Sequence, residues 1–244
     1  MILKINLPSS WNELTEKQFL KIASLFYSGT SGKIFDLKLF FILYDCRWFQ
    51  FLKQAKAILI LAETPLSELK NHYSFIYSEN NRTRFPEKIK LKNKTFFSPF
   101  EKITNLTVDE FAVADDLHIK WRETHEIAFL QYLMAVLYVE NKQPREKFDK
   151  NNLPEKMKRF VKMPLPQMLA AELAYFGCKN HITKRFSQAF PKNTSPKSKN
   201  SKKYGFGKVI LQMSGGKFGS HEETKNTNIY TFLEEFNENL KNHD

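Results

Sequence analysis

The residue types that could bind a metal ion cluster in one short stretch of the chain. His118 and His125 are seven residues apart, which allows two imidazoles to share one helix face. His125-Glu126 begins like a zinc-protease HExxH motif, but Phe129 occupies the position of the second histidine. Because we predict a helix break at Trp121, this spacing favours ordinary polar residues at a helix junction over a metal site. The possible ligands are Asp115, Asp116, His118 and His125.

Three further groups have residue types found in catalytic or phosphate-binding sites. Cys178 and His181 could form a nucleophile pair, and His221-Glu222-Glu223 could form an acid/base group, but neither has a third orienting residue. Gly215–Ser220 superficially resembles a phosphate loop, although its Lys lies between the glycines and not after them. We therefore interpret the first two groups as structural and the glycine segment as a turn that ends a helix.

Two helix starts with one shared pattern position much of the chain. They are Leu14-Thr15-Glu16-Lys17-Gln18-Phe19 and Leu106-Thr107-Val108-Asp109-Glu110-Phe111. In each, Thr is the N-cap and Gln or Glu is the third helical residue, which together form a capping box. The flanking Leu and Phe form a hydrophobic staple. The pattern predicts where helices begin and carries no chemistry of its own.

Hydrophobic periodicity predicts a mainly α protein with one small β-hairpin. The hairpin pairs Lys88–Lys92 with Thr95–Phe97. We expect Thr64 to cap a helix that has Pro65 at its first position, and Gly177 to close another helix. The predicted helices cover residues 16–27, 34–44, 48–62, 65–77, 108–120, 125–139, 155–161, 167–176, 182–189 and 228–240.

Composition divides the chain into four regions. We predict an N-terminal helical region at 1–104 with the hairpin near 88–97, and a second helical region at 105–191. Residues 192–203 contain five lysines and no acidic or apolar residue, which is typical of a flexible linker. Residues 204–244 then form a C-terminal helical unit.

Charge and cysteine content limit the classes of function. The net charge is +12, but only seven of the 38 basic residues are arginine, so non-specific phosphate contacts are favoured over base readout. The same Lys-rich composition is also typical of an AT-rich genome. Two cysteines provide no disulfide framework, and the start of the chain lacks a signal-peptide pattern. We expect a cytoplasmic protein with neither a membrane span nor a cofactor.

Two surfaces are candidates for binding a partner. One is the apolar face of the last helix, which either contacts another protein or packs on the chain's own core; it consists of Ile229, Phe232, Leu233 and Phe236. The other is a set of lysines that could bind nucleic acid, namely Lys88, Lys90, Lys92, Lys94, Lys197, Lys199, Lys202 and Lys203. No aromatic residues alternate with the lysines of the linker, which argues against base stacking there.

Several non-catalytic segments resemble a group of bacteriophage and prophage tail-region proteins that has no established activity. Leu7–Thr15 is similar to the group's opening segment, and Lys94–Pro99 followed by Asn105–Asp115 is similar to its strand pair and helix start. Further short similarities occur at Leu133–Tyr138 and at Phe218-Gly219. The resemblance implies a role in tail assembly in the bacterial host cytoplasm, either as a chaperone of the tape-measure protein or as a minor virion component. It implies no catalytic residue.

Three hypotheses about function follow. The first is a non-enzymatic phage-type assembly protein that binds a tail or tape-measure protein through apolar helical surfaces. The second is a non-specific nucleic-acid-binding protein that uses its Lys-rich patches. The third is an enzyme whose site is assembled from residues distant in sequence.

Overall fold

The structure, a computed structural model, describes residues 7–45, 50–190 and 218–241. These residues form ten α-helices, short 3₁₀ segments and one antiparallel hairpin, which confirms the predicted mainly α fold. The helices are α1 (Glu16–Phe26), α2 (Gly32–Leu43), α3 (Phe51–Glu63), α4 (Leu66–Leu69), α5 (Val108–Thr124), α6 (Ile127–Leu137), α7 (Leu153–Phe160), α8 (Leu165–Arg185), α9 (His221–Asn226) and α10 (Ile229–Lys241). The strands are β1 (Lys88–Leu91) and β2 (Lys94–Phe97). None of the described helices is long and apolar enough to cross a membrane.

The described chain divides into two compact units. Unit 1 comprises the chain up to Arg82 together with Pro164–Gly177, and unit 2 comprises Thr83–Met163 together with the chain from Cys178 onward. These units differ from the predicted ranges 1–104 and 105–191 because residues 83–104 belong to unit 2 and Pro164–Gly177 belongs to unit 1. The predicted linker at 192–203 and most of the glycine segment lie outside the described residues.

The core of unit 1 forms around α1 and α2, which pack against each other. Phe19 and Ile22 of α1 and Leu39 and Phe40 of α2 are fully buried. Trp11 precedes α1 in a 3₁₀ turn and is also buried, with its indole Nε1 donating a hydrogen bond of 3.0 Å to the Phe75 carbonyl. The indole is therefore anchored at its apolar ring and at its polar edge.

The backbones of Arg82 and Gly177 approach each other closely within unit 1. The Arg82 guanidinium donates to the carbonyls of Trp11 and Leu14 and lies 4.5 Å from the centre of the Phe19 ring. A Cβ atom on Gly177 would collide with the Arg82 carbonyl oxygen and lie 2.7 Å from its nitrogen. The prediction that Gly177 ends a helix is wrong, because α8 continues through it and the glycine provides room for Arg82.

Unit 2 combines the hairpin with α5, α6 and α7. Strands β1 and β2 pair with Ile89 opposite Phe96, and both of these side chains are buried. The Phe96 ring lies 4.9 Å from that of Phe160 in α7, which anchors the hairpin to a helix. The start of α10 is attached to the start of α5, because the Ile229 amide donates to the Leu106 carbonyl.

Both predicted capping boxes are present. Thr15 accepts a hydrogen bond from the Gln18 amide, and Thr107 accepts one from the Glu110 amide, while each N3 side chain accepts from its N-cap backbone. The four staple residues are buried: Leu14, Phe19, Leu106 and Phe111. A third capping box, at Ser220 and Glu223, begins α9 and escaped the sequence analysis.

Four predicted helix boundaries are wrong. Pro65, not Thr64, is the N-cap of α4, and a 3₁₀ segment at Lys70–Tyr77 replaces the rest of the predicted helix. Helix α5 runs through Trp121, and His125 is its left-handed C-cap with φ of 57°. The separate helix predicted at 182–189 belongs to α8 as far as Arg185.

Candidate functional site

The candidate metal ligands do not assemble into a site. His118 is buried in α5, whereas His125 lies at the end of that helix and Asp115 pairs with Lys179. Burial, with the nearby Asp115 carboxylate as the second cause, raises the pKa of Asp116. Within the described residues, no three His, Cys, Asp or Glu side chains come together as metal ligands.

The candidate nucleophile pair is structural in character. Cys178 is fully buried, and its thiol lies 3.5 Å from the Thr83 carbonyl oxygen, to which it donates. Burial lowers the pKa of His181, and the positive charges of Lys102 and Arg185 lower it further. A buried thiol is inaccessible to a substrate in solution, so this geometry does not support nucleophilic chemistry at Cys178.

The acidic group at the start of α9 has local roles. Glu223 completes the capping box with Ser220, which lowers the pKa of its carboxyl. Glu222 pairs with Lys225 at 2.9 Å, and this ion pair lowers the pKa of Glu222. Acidic residues in the first turn of a helix also interact favourably with the helix dipole. These carboxylates are ionised groups that stabilise a short helix.

The predicted partner-binding residues of α10 face mainly inward. Ile229, Phe232 and Leu233 are fully buried, whereas Phe236 is partly exposed. The Phe232 ring lies 5.2 Å from that of Phe218 and 6.3 Å from that of Phe236. Their burial agrees with the alternative in which this face packs on the chain's own core.

The hairpin lysines occupy two different faces. Directly opposed residues in an antiparallel pair point to the same side. Lys88 and Lys90 therefore share the face of Phe97 and Thr95, whereas Lys94 lies on the other face, opposite Leu91.

These faces differ in their ion pairs. Lys94 pairs with Glu140 at 2.9 Å, and Arg159 pairs with the same carboxylate. Lys88, Lys90 and Lys92 are exposed, and among the described residues they have no ion pair. The four other predicted lysines, Lys197, Lys199, Lys202 and Lys203, lie outside the described residues.

The feature that the sequence analysis missed is an exposed apolar surface on unit 1. Most of the large apolar side chains that are exposed in the described chain belong to this unit. They are Phe26, Ile34, Leu37, Phe51, Leu52, Ile58, Leu59, Tyr77 and Leu165. Exposed apolar residues that share one helix face mark binding surfaces more often than isolated ones do.

Helix α2 contributes one part of that surface, which we name the α2 stripe: Ile34, Leu37 and Phe41. These residues follow the i, i+3, i+7 spacing of a single helix face. Ile34 is 62% exposed and Leu37 is 41% exposed, whereas the opposite face of the helix, with Leu39 and Phe40, is fully buried. Helix α2 thus presents one apolar face to the core and a second to solvent.

A row of aromatic rings adjoins the α2 stripe through Phe35, the neighbour of Ile34. The Phe35 ring lies 5.6 Å from that of Phe26 and 6.4 Å from that of Tyr77. The Tyr77 hydroxyl donates a 2.5 Å hydrogen bond to Asp36, whose other oxygen pairs with Lys70 at 2.5 Å. These contacts fix an exposed aromatic side chain, which lowers the entropy lost when it binds a partner.

The two phenols in this region stay protonated at neutral pH. Burial raises the pKa of Tyr73 to about 12, and the Asp36 carboxylate contributes to the increase. Burial together with the hydrogen bond to Asp36 also raises the pKa of Tyr77. Tyr77 is therefore a fixed hydrogen-bond donor and not an activated nucleophile or base.

Helix α3 contributes the other part, which we name the α3 face: Phe51, Leu52, Ala55, Ile58, Leu59 and Ala62. At 3.6 residues per turn, these six residues occupy one continuous arc of about 120°. The four large ones are between 48% and 86% exposed, whereas Ala57 and Ile60 on the opposite side are buried. The sequence predicted this helix, but apolar residues occur on most of its sides, so the pattern did not indicate which of these sides faces solvent.

No family model matches the chain, nor does any curated protein or solved structure. The geometry of the α2 stripe, the aromatic row and the α3 face therefore carries the evidence about function.

Proposed function

We propose that this chain is a non-enzymatic assembly protein that binds a partner protein through unit 1. The observation that carries the proposal is the α2 stripe, an exposed apolar helix face beside fixed aromatic rings. An amphipathic helix of a partner can bury its apolar face against such a surface, using side chains spaced by three and four residues.

The resemblance to phage tail-region proteins suggests the partner. A tape-measure protein has long amphipathic helices that need shielding before a tail assembles, and the α2 stripe supports such contacts. On this proposal the chain acts in the bacterial host cytoplasm as a tape-measure chaperone, or it enters the particle as a minor virion component. It needs no cofactor for either role.

The exposed fractions of Ile34 and Leu37 determine how much these two residues contribute to the affinity for a partner. The exposed parts of Ile34 and Leu37 together equal about one complete apolar side chain. Burying one such side chain is worth about 1.5–3 kcal/mol. This energy corresponds to roughly a 10- to 150-fold change in Kd. Replacing both residues by Ser should therefore weaken binding by at least about tenfold.

Co-expression with a phage tape-measure protein tests the proposal. Wild type should co-purify with that protein, and the Ile34→Ser/Leu37→Ser variant should lose most of it. Ile127→Ser is the matched control, because Ile127 is a 47% exposed apolar residue in unit 2. Equal recovery by all three folded proteins would rule out the α2 stripe as the binding surface. The same experiment with Phe236→Ser tests the outer edge of α10, where this side chain is partly exposed.

Nucleic-acid binding is the second candidate function, favoured by the unpaired lysines of the hairpin. Lys88 and Lys90 share one face, and neither has an ion pair within the described residues. A low-salt gel shift with duplex DNA should then weaken in Lys88→Gln/Lys90→Gln and fall steeply with added salt. Lys94→Gln is the matched control, since Glu140 already neutralises Lys94. Absence of any complex at low salt would eliminate this candidate.

A further inference from the structure

The α3 face contains a regular alternation of large and small residues. Leu52, Ala55, Leu59 and Ala62 are spaced by three, four and three residues, which places them in one seam along the helix. Phe51 and Ile58 border the seam on one side, and Lys56 and Glu63 border it on the other. All eight residues belong to α3, which is nearly 20 Å long by its rise per residue.

We infer that two copies of this chain pair through their α3 faces in an antiparallel arrangement. We place the two-fold axis at the level of residue 57. A seam residue that lies a given number of positions before residue 57 then faces the residue the same number of positions after residue 57 in the second copy. Leu52 then faces Ala62 of the second copy, and Ala55 faces Leu59 of the second copy. Every large side chain in the seam meets a small one, so the surface is complementary to itself.

A parallel pairing of the same helices fits less well. In register, it would stack Leu on Leu and Ala on Ala, which leaves a gap at each Ala layer. Gaps in an apolar contact lose dispersion energy because atoms on one side have no neighbours. The order of residues in the seam therefore selects the antiparallel arrangement.

Charge complementarity at the ends of α3 supports the same arrangement. Glu63 ends the helix, and in the antiparallel pair it lies beside the first turn of α3 in the second copy. The Gln50 side chain does not cap that first turn. A carboxylate near a helix N-terminus interacts favourably with the helix dipole.

Lys56 is the one unfavourable contribution to the pair. It lies next to the axis and close to Lys56 of the second copy, whereas Ile58 meets Ile58 on the other flank. Removing this repulsion in a Lys56→Gln variant should tighten the dimer.

The buried area is sufficient for a specific but dissociable dimer. A large apolar side chain has a surface of about 200 Å². The exposed fractions of the four large residues of the α3 face therefore correspond to an exposed area of roughly 500 Å² per copy. The total of roughly 1,000 Å² reaches the lower limit for specific interfaces. We expect a dimer that dissociates on dilution and that leaves the α2 stripe available for a different protein.

Sedimentation velocity of the full chain over a dilution series tests the proposal. Wild type should be dimeric near 100 μM, a concentration chosen above the Kd of a weak specific interface. Leu59→Ala should raise Kd by about tenfold, since it removes the large member of two contacts at the seam. Ala55→Leu should also weaken the dimer, because Leu would then meet Leu. A chain that stays monomeric near 100 μM would overturn the proposal.

The swapped variant Ala55→Leu/Leu59→Ala is the decisive control. It restores a large residue opposite a small one, so it should recover the wild-type Kd although each single change weakens the dimer. Failure of the swap to recover dimerisation, or a dimer unaffected by all of these changes, would overturn the antiparallel α3 pair. Ile34→Ser/Leu37→Ser should leave the dimer intact, which separates this inference from the proposed function of the α2 stripe.

Discussion

Replacing Glu110 by Gln separates the helix-capping role of this side chain from its buried ion pair. One carboxylate oxygen accepts from the backbone amide and hydroxyl of Thr107, at 2.9 and 3.2 Å. The other accepts from Arg145 Nε at 2.8 Å; the Glu110 side chain is 3% exposed and the Arg145 side chain is 10% exposed. Gln can still cap α5, just as Gln18 caps α1, but it cannot neutralise Arg145.

The cost of Glu110→Gln follows from the surroundings of Arg145. Removing one partner of a buried ion pair costs about 3–5 kcal/mol. Arg145 keeps hydrogen bonds to the carbonyls of Val136 and Leu137 at the end of α6. We therefore expect the lower end, about 3 kcal/mol. For a protein of this size, that loss lowers Tm by roughly 6–12 °C.

Thermal and urea unfolding, followed by circular dichroism, would measure this loss. The matched control is Glu155→Gln, which removes an exposed ion pair with Lys158 and should cost less than about 0.5 kcal/mol. Arg145→Met in the Glu110→Gln background should recover part of the stability, because no unpaired charge then remains buried. If Glu110→Gln and Glu155→Gln had the same small effect, the proposed role of the buried ion pair would be refuted.

Three further changes test other parts of the structure. Gly177→Ala should lower the free energy of unfolding by about 1–3 kcal/mol, because the new Cβ would displace the Arg82 backbone. A urea midpoint equal to that of wild type would contradict this prediction. Arg82→Lys should lower the free energy of unfolding by about 2 kcal/mol in the same assay. An ammonium group cannot reproduce both the flat contact with the Phe19 ring and the hydrogen bonds to two carbonyls. An unchanged midpoint would show that a positive charge at position 82 is enough for stability. The lowered pKa of His181 means that the unfolded chain binds its proton more tightly, so stability should fall as pH decreases below about 6.5. His181→Gln should flatten this part of the stability-versus-pH curve, and a curve identical to that of wild type would exclude His181 as the cause.

Local signals in the sequence predicted the two capping-box helix starts and the hairpin correctly. The capping boxes at Thr15 and Thr107 involve residues three positions apart, so the pattern itself contains the interacting groups. The alternation of Lys88–Lys92 similarly predicted a strand with exposed lysines and a buried Ile89. These elements need little information from the rest of the fold.

Features that depend on distant residues were not predictable from the same patterns. Gly177 has the residue type of a helix end, but the Arg82 backbone is the reason for a glycine there, and Arg82 is 95 positions away. Likewise, α2 and α3 are apolar on several sides, and only packing decides which side is covered. The α2 stripe and the α3 face therefore emerge only with the structure, whereas the apolar face that the pattern predicts for α10 is mostly buried.

Hydrogen–deuterium exchange of the full chain, with and without the proposed partner, a phage tape-measure protein, tests the central claim most directly. The account predicts that binding slows exchange in α2, around Ile34 and Leu37, and that Ile34→Ser/Leu37→Ser abolishes this protection. Exchange in the α10 segment around Phe232, already buried, should change little. Protection confined to unit 2, or unchanged exchange in α2 despite a stable complex, would contradict the claim that unit 1 binds the partner through the α2 stripe.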